Sequence, residues 1–377
     1  MKKVAALILM FVLLAGFCAA PAFSESAIPA GKAIPGLTWQ SSMELEYATE
    51  FAVDYYEGGY ALIEVVDDCR YLVVPEEREV PEGLDPSIKV LQQPLDRIYL
   101  QATSAMALFD QIDGLDAIRL VGTRKEGWYV ENAVKAMEEG KILYSGGYSQ
   151  PDYELMTNEG CNLAIESTMI LHVPKVQEMI ELLGIPVFIE RSSYETHPLG
   201  RTEWVKVYGV LLGREQEANA FFAAQTQMVR QFADIEKTQK TVAFFYMTST
   251  GSVSIRSDSD YVPKMIEIAG GSYIFQDIAE PDTKRSSLSV TMEAFYNTAV
   301  DADFLIYNAT IDNPIYTIDE LIAKDSLFAD FKAVKNGDVW CTGKYLFQAT
   351  DITGELIVDF NHMLTGQDGM RFLYKLS

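Results

Sequence analysis

The chain has 377 residues, 49% of them hydrophobic and 22% charged, with 54 acidic against 30 basic side chains and a formal charge of −24. This composition excludes a disordered or fibrous chain and leaves room for two cores of ordinary domain size. The acidity excludes a nucleic-acid binder, which needs a basic footprint to displace counterions, and otherwise reads as a solvated surface.

Lys2 and Lys3, the apolar run 4–17 and the small-x-small step Ala20-Pro21-Ala22 predict a signal peptide over 1–22. The run is shorter than the roughly 20 residues of a membrane-spanning helix. Cys18 raises the alternative of a lipid anchor. Bulky Phe17 stands where a lipoprotein cleavage site carries a small residue, so the expected mature chain begins near Phe23 without lipid. Residues 23–57, with Pro29 and Pro35, read as an irregular lead-in. The runs 60–66 and 71–74 around Asp67-Asp68 predict a hairpin.

The pattern then changes to short apolar strands alternating with helices. Strands are expected over 97–102, 118–122, 141–144, 162–165 and 186–189. Helices are expected over 104–112, with Ser104 as N-cap, from Pro151, and over 173–183. Such alternation predicts a parallel sheet covered on both faces. Residues 214–237 contain no Gly or Pro and place Ala218, Phe221, Phe222, Gln225, Met228, Val229, Phe232 and Ile235 at helical spacing, which predicts one helix of roughly 35 Å. The alternation restarts with a strand over 241–247, helices over 261–269 and 291–298, strands over 302–307 and 338–341, and a closing helix over 351–364. The expected fold is α/β: two Rossmann-like lobes, 58–200 and 239–377, joined through a linking segment 201–238 by a single long α-helix, with a ligand cleft between the lobes.

Several strings, in this order, resemble the iron-siderophore, haem and cobalamin class of periplasmic binding proteins, the class with a helical backbone between its lobes. They are Arg97-Ile98-Tyr99-Leu100 with Thr103-Ser104, the strand 118–122 ending in Gly122, Gly147-Tyr148 through Pro151 to Glu154 followed by Asn162-Leu163-Ala164-Ile165, Gly184-Ile185-Pro186-Val187, Leu211-Leu212-Gly213-Arg214-Glu215, Glu267-Ile268-Ala269-Gly270-Gly271, and 331–339. The resemblance spans about 90–370. It implies the substrate-binding component of an ABC importer that captures an iron chelate, haem or corrinoid and hands it to a membrane permease dimer. It also implies a monomer with no intrinsic cofactor, whose bound ligand carries iron or cobalt. Glu154 and Glu293 match the family's docking glutamates, one per lobe, which pair with permease arginines; carboxylates suit that task because arginine grips them bidentately.

Candidate ligand-binding residues lie in loops after strands: Trp128, Tyr129, Tyr148, Arg191 and Tyr194 in the first lobe, and Arg256, Lys344 and Tyr345 in the second. The rings suit a flat, partly apolar ligand, and the cations suit the carboxylates or catecholates of an anionic chelate. Only His172, His197 and His362 are present, too few for capture of a bare metal ion, so no metal site is expected. His197, weighed as an axial haem ligand, reads first as structural beside Pro198. Cys69, Cys161 and Cys341 lack the spacing of a metal or redox motif. No nucleophile elbow, phosphate loop or His-Glu-x-x-His helix is present, so no enzyme is expected. The alternative is a solitary binder or sensor, which has no use for two docking glutamates.

Overall fold

The computed structural model describes residues 33–67, 69–276 and 286–377. The signal peptide, Cys18 and the expected start at Phe23 lie outside them. The first sheet takes its strands in sequence order: β1 (Trp39–Ser42), β2 (Phe51–Tyr56), β3 (Ala61–Val65), β4 (Cys69–Val74) and β5 (Ile88–Gln92). Its neighbours are antiparallel except β4 and β5. Gly58 and Gly59, both at positive φ, turn β2 into β3, a conformation that glycine adopts without steric cost. The region read as an irregular lead-in therefore contains two strands. β2 escaped notice because a carboxylate interrupts its apolar pattern: Asp54 is buried and accepts hydrogen bonds from the Trp39 indole and the Ser42 hydroxyl.

The second sheet, in the order β10-β9-β6-β7-β8, is wholly parallel. Its strands are β6 (Ile98–Leu100), β7 (Ile118–Val121), β8 (Leu143–Tyr144), β9 (Leu163–Ser167) and β10 (Val187–Glu190). Helices α1 (Met106–Gln111), α2 (Glu131–Glu138), α3 (Tyr153–Asn158) and α4 (Pro174–Leu182) alternate with them. Both faces are covered, which is why these strands read as continuous apolar runs. Ser104 does not cap α1; it sits in a 3-10 turn, and its hydroxyl faces Glu190 and Ser192.

Next come α5 (Pro198–Glu203), α6 (Val205–Leu212) and α7 (Glu215–Arg230). Gly209 of α6 lets α7 approach closely, since a Cβ there would stand 2.8 Å from that of Ala218. Further along α7, the Gln225 side chain accepts from the Gly354 amide, 2.8 Å away. The expected helix over 214–237 is shorter, 16 residues or roughly 24 Å. It ends at Arg230 because Phe232 and Ala233 tighten into i to i−3 hydrogen bonds. The apolar period ran on because Phe232 packs against the core and Ile235 lies against Gly270 from the following loop.

The third sheet follows the order β14-β12-β11-β15-β16-β17, with β13 beside β11. Its strands are β11 (Thr241–Met247), β12 (Val253–Arg256), β13 (Ser272–Tyr273), β14 (Ser287–Val290), β15 (Phe304–Tyr307), β16 (Val339–Thr342) and β17 (Leu373–Lys375). β11, β15 and β16 run parallel. Around them lie α8 (Tyr261–Ile268), α9 (Met292–Ala299), α10 (Ile318–Lys324), α11 (Lys332–Asn336) and α12 (Thr353–Thr365). Phe245, Phe295, Phe328 and Phe331 stack or meet edge-on beneath this sheet.

Buried carboxylates fasten the loop between β1 and β2 to α5 and the segment that leads into it. Glu203, fully buried on α5, accepts the amides of Glu46, Tyr47 and Ala48 and pairs with Lys206 at 2.7 Å. Glu195 accepts the amides of Thr49 and Glu50 and the Trp204 indole. Each amide donated to a carboxylate is a charge-assisted bond, stronger than its neutral counterpart.

Candidate functional site

Parallel strands deliver their binding groups at their C-terminal ends, and a cavity opens there in the second lobe. It measures about 240 Å³, and its walls include Tyr246, Arg256, Ser287, Asn308, Thr310 and Phe347. Arg256 ends β12 with its guanidinium 3.6 Å from Asp260, which also caps α8 through the Val262 amide. The Thr310 hydroxyl is buried without a hydrogen-bond partner among the described residues, leaving a donor free for an occupant. On the first lobe, exposed Arg124 follows β7 and lies over the Tyr144 ring at 4.3 Å, with no carboxylate partner among the described residues. Sequence reasoning passed over Arg124 and Tyr144, although both follow the strand-end rule. Tyr148 follows β8 in a glycine loop where Gly146 has no room for a Cβ, which would stand 2.3 Å from the Gln150 carbonyl oxygen.

The turn Lys344–Phe347 joins the two halves. Phe347 meets the Tyr129 ring edge-on at 6.1 Å. Gln348, 1% exposed, accepts the Tyr129 amide at 2.8 Å and donates to the Gly127 carbonyl at 2.7 Å. Thr350 donates to the Ser104 carbonyl, and Gln111 donates to Asp351. On the far side of this turn lies a second cavity of about 420 Å³, with Tyr129 and Asn132 on one wall and Tyr345, Ile352 and Phe372 on the other.

The other expected residues have varied placements. Trp128 is buried, and its indole donates to the Thr123 carbonyl. Arg191 is buried in ion pairs with Glu50 and Asp67, both 2.7 Å, and covers the Tyr194 ring, so both residues face the first sheet. The strand-end rule placed them correctly along the chain but carried no knowledge of that sheet. Lys344 bonds to Asn313 within its own lobe, and the Tyr345 hydroxyl donates to the Phe372 carbonyl. His197 caps α5 and stacks on Tyr47, and burial depresses its pKa to about 4. No group of three acidic, His or Cys side chains among the described residues is placed to hold a metal ion.

Glu154 and Glu293 are both exposed. Each is the second residue of a helix whose first amides are capped by a side chain, Asp152 for α3 and Thr291 for α9. Neither has an ion-pair partner among the described residues.

Two lobes built on parallel sheets, with a cavity at the strand ends, define a two-lobed α/β binding protein. Residues 122–346 match the periplasmic binding protein family, and the chain belongs to it. Two uncharacterized lipoproteins of Methanocaldococcus jannaschii are similar along most of their length. One is 26% identical, covering 87% of this chain and 81% of its own; the other is 24% identical, covering 88% and 86%. The fold is shared with a periplasmic heme-binding protein from Pseudomonas aeruginosa (TM-score 0.59, 14% identity, 75% of this chain and 98% of that one). It is shared also with a periplasmic vitamin B12-binding protein of Vibrio cholerae (TM-score 0.51, 17% identity, 72% and 97%). The family and these neighbours are substrate-binding proteins rather than enzymes. Among the described residues, no helix is long and apolar enough to cross a membrane.

Proposed function

We propose that the protein is the extracytoplasmic substrate-binding component of an ABC importer, working as a monomer that delivers an iron chelate, haem or corrinoid to a permease dimer. The observation that carries this reading is the matched pair Glu154 and Glu293. One exposed carboxylate on each lobe, at the same position of a capped helix, gives a two-point register for arginines on a two-fold permease. The cargo lies between Arg256, Tyr246, Thr310 and Phe347 on one side and Arg124, Tyr144 and Tyr148 on the other. Cations and rings there suit an anionic, partly flat chelate that brings its own metal.

The Glu154→Ala/Glu293→Ala pair tests the reading. Ligand affinity is expected to stay unchanged while uptake by whole cells falls about tenfold or more, as for shielded interfacial charge pairs. Wild-type uptake by the double variant refutes docking, and lost ligand affinity moves the two residues into the pocket. The absorbance of protein purified from its native host names the cargo: a Soret band for haem, a mid-visible band for a corrin or ferric chelate. Export removes residues 1–22 and leaves a start near Phe23. Two relatives bear the name lipoprotein, and a diacylated Cys18 seen by mass spectrometry would replace that start with an anchor.

A further inference from the structure

The larger cavity, on the flank of the lobe junction, has walls unlike those of the cargo cleft. Asp110, Glu131 and Asp351 line it, and no lysine, arginine or histidine does. Asn132 donates to both oxygens of Asp110, and Gln111 donates to one oxygen of Asp351, so neutral amides orient the carboxylates without balancing their charge. Burial raises the Asp351 pKa to about 6, and Glu355 and Asp110 add repulsion. Glu355, in the first turn of α12, has an oxygen that is buried without a hydrogen-bond partner among the described residues. Negative charge that is partly desolvated and left uncompensated is costly, and a cation would relieve it.

The remaining walls say what kind of cation. Tyr129, Tyr345 and Phe372 present three aromatic rings, the latter two edge-on to each other at 5.9 Å, and Ile352 adds an apolar patch. The acids do not converge as metal ligands, since no trio of acidic, His or Cys side chains among the described residues could hold a metal ion. The Arg371 guanidinium covers one face of Phe372 from outside the lining, 5.2 Å from its centroid, and dispersed carboxylates beside the rings, around a space of about 420 Å³, fit a bulky, weakly hydrated ammonium rather than a bare ion.

We propose that this cavity is a second binding site, for an organic cation: an ammonium group carried on an apolar body. It is separated from the cargo cleft by the Lys344–Phe347 turn and does not rest on the identity of the cargo. Because Tyr129 and Asn132 come from one lobe and Tyr345 and Phe372 from the other, an occupant ties the lobes together beside the Gln348 contact.

The test is isothermal titration of the mature protein with benzyltrimethylammonium in 150 mM sodium chloride, with benzyl alcohol as the uncharged probe. Saturable one-to-one binding of the cation alone is expected, weakened at least tenfold in Glu131→Gln and in Tyr129→Ala and unchanged in Glu178→Ala, an exposed carboxylate on α4. Glu131 and Tyr129 are both exposed, so neither variant removes a core side chain and the test stays decisive. No saturable binding overturns the proposal. So does binding that survives both cavity variants, which would place the cation on the general acidic surface, or equal binding of benzyl alcohol, which would leave only an apolar pocket.

Discussion

Replacing Gln348 with alanine isolates the contact between the lobes. Its side chain makes two neutral hydrogen bonds to the opposite backbone, at 2.8 and 2.7 Å, and is almost wholly buried. At roughly 1 kcal/mol net for each bond, the closed arrangement should lose about 2 kcal/mol, or about 30-fold in its population relative to open forms. The direct readout is hydrogen exchange at the Tyr129 amide, which donates to Gln348. Its protection should fall by about the same factor while amides in β6 and β9 keep theirs, because those strands stay paired. Gln348→Glu retains an acceptor for Tyr129 but buries a carboxylate against the Gly127 carbonyl, so it should lose at least as much protection as alanine. Unchanged exchange at Tyr129 in the alanine variant refutes the idea that this side chain holds the lobes. A uniform loss of protection refutes it too, since that would show global destabilisation instead.

Two further outcomes follow from buried carboxylates. Glu203→Ala strips the acceptor from three backbone amides and leaves Lys206 unpaired, so urea unfolding should show a loss of about 3–5 kcal/mol, and a loss under about 1 kcal/mol would contradict the fastening role. Glu166 of β9 is buried with neither oxygen bonded, and burial holds its pKa up at about 8. The unfolded chain ionises it near a pKa of about 4.3, so stability is full below that pH and declines as pH rises toward 8, by on the order of 3 kcal/mol at neutrality. Glu166→Leu should therefore stabilise the protein at pH 7 to 8, with the gain shrinking toward pH 4.5; a gain independent of pH would assign the effect to packing alone.

Local chemistry made part of this protein readable in advance. Strand and helix periods showed two α/β halves, because burial on both faces of a parallel sheet leaves continuous apolar runs such as Ile98–Leu100. Pro151 and Thr291 stood within two residues of the helix starts that carry Glu154 and Glu293, where Asp152 and Thr291 supply the caps, since capping is decided within a few residues. Distant partners decided the rest. Asp54 hid β2 because its buried carboxylate takes hydrogen bonds from Trp39 and Ser42 on the paired strand. Arg191 looked like a ligand-binding cation until Glu50, 141 residues away, took its guanidinium. Gln348 carried no signal at all, for its partner Tyr129 lies 219 residues earlier. Periods and caps are properties of neighbours along the chain. Which charge is spent on an ion pair, and which is left facing a cavity, depends on what the folded chain brings within about 3 Å of it.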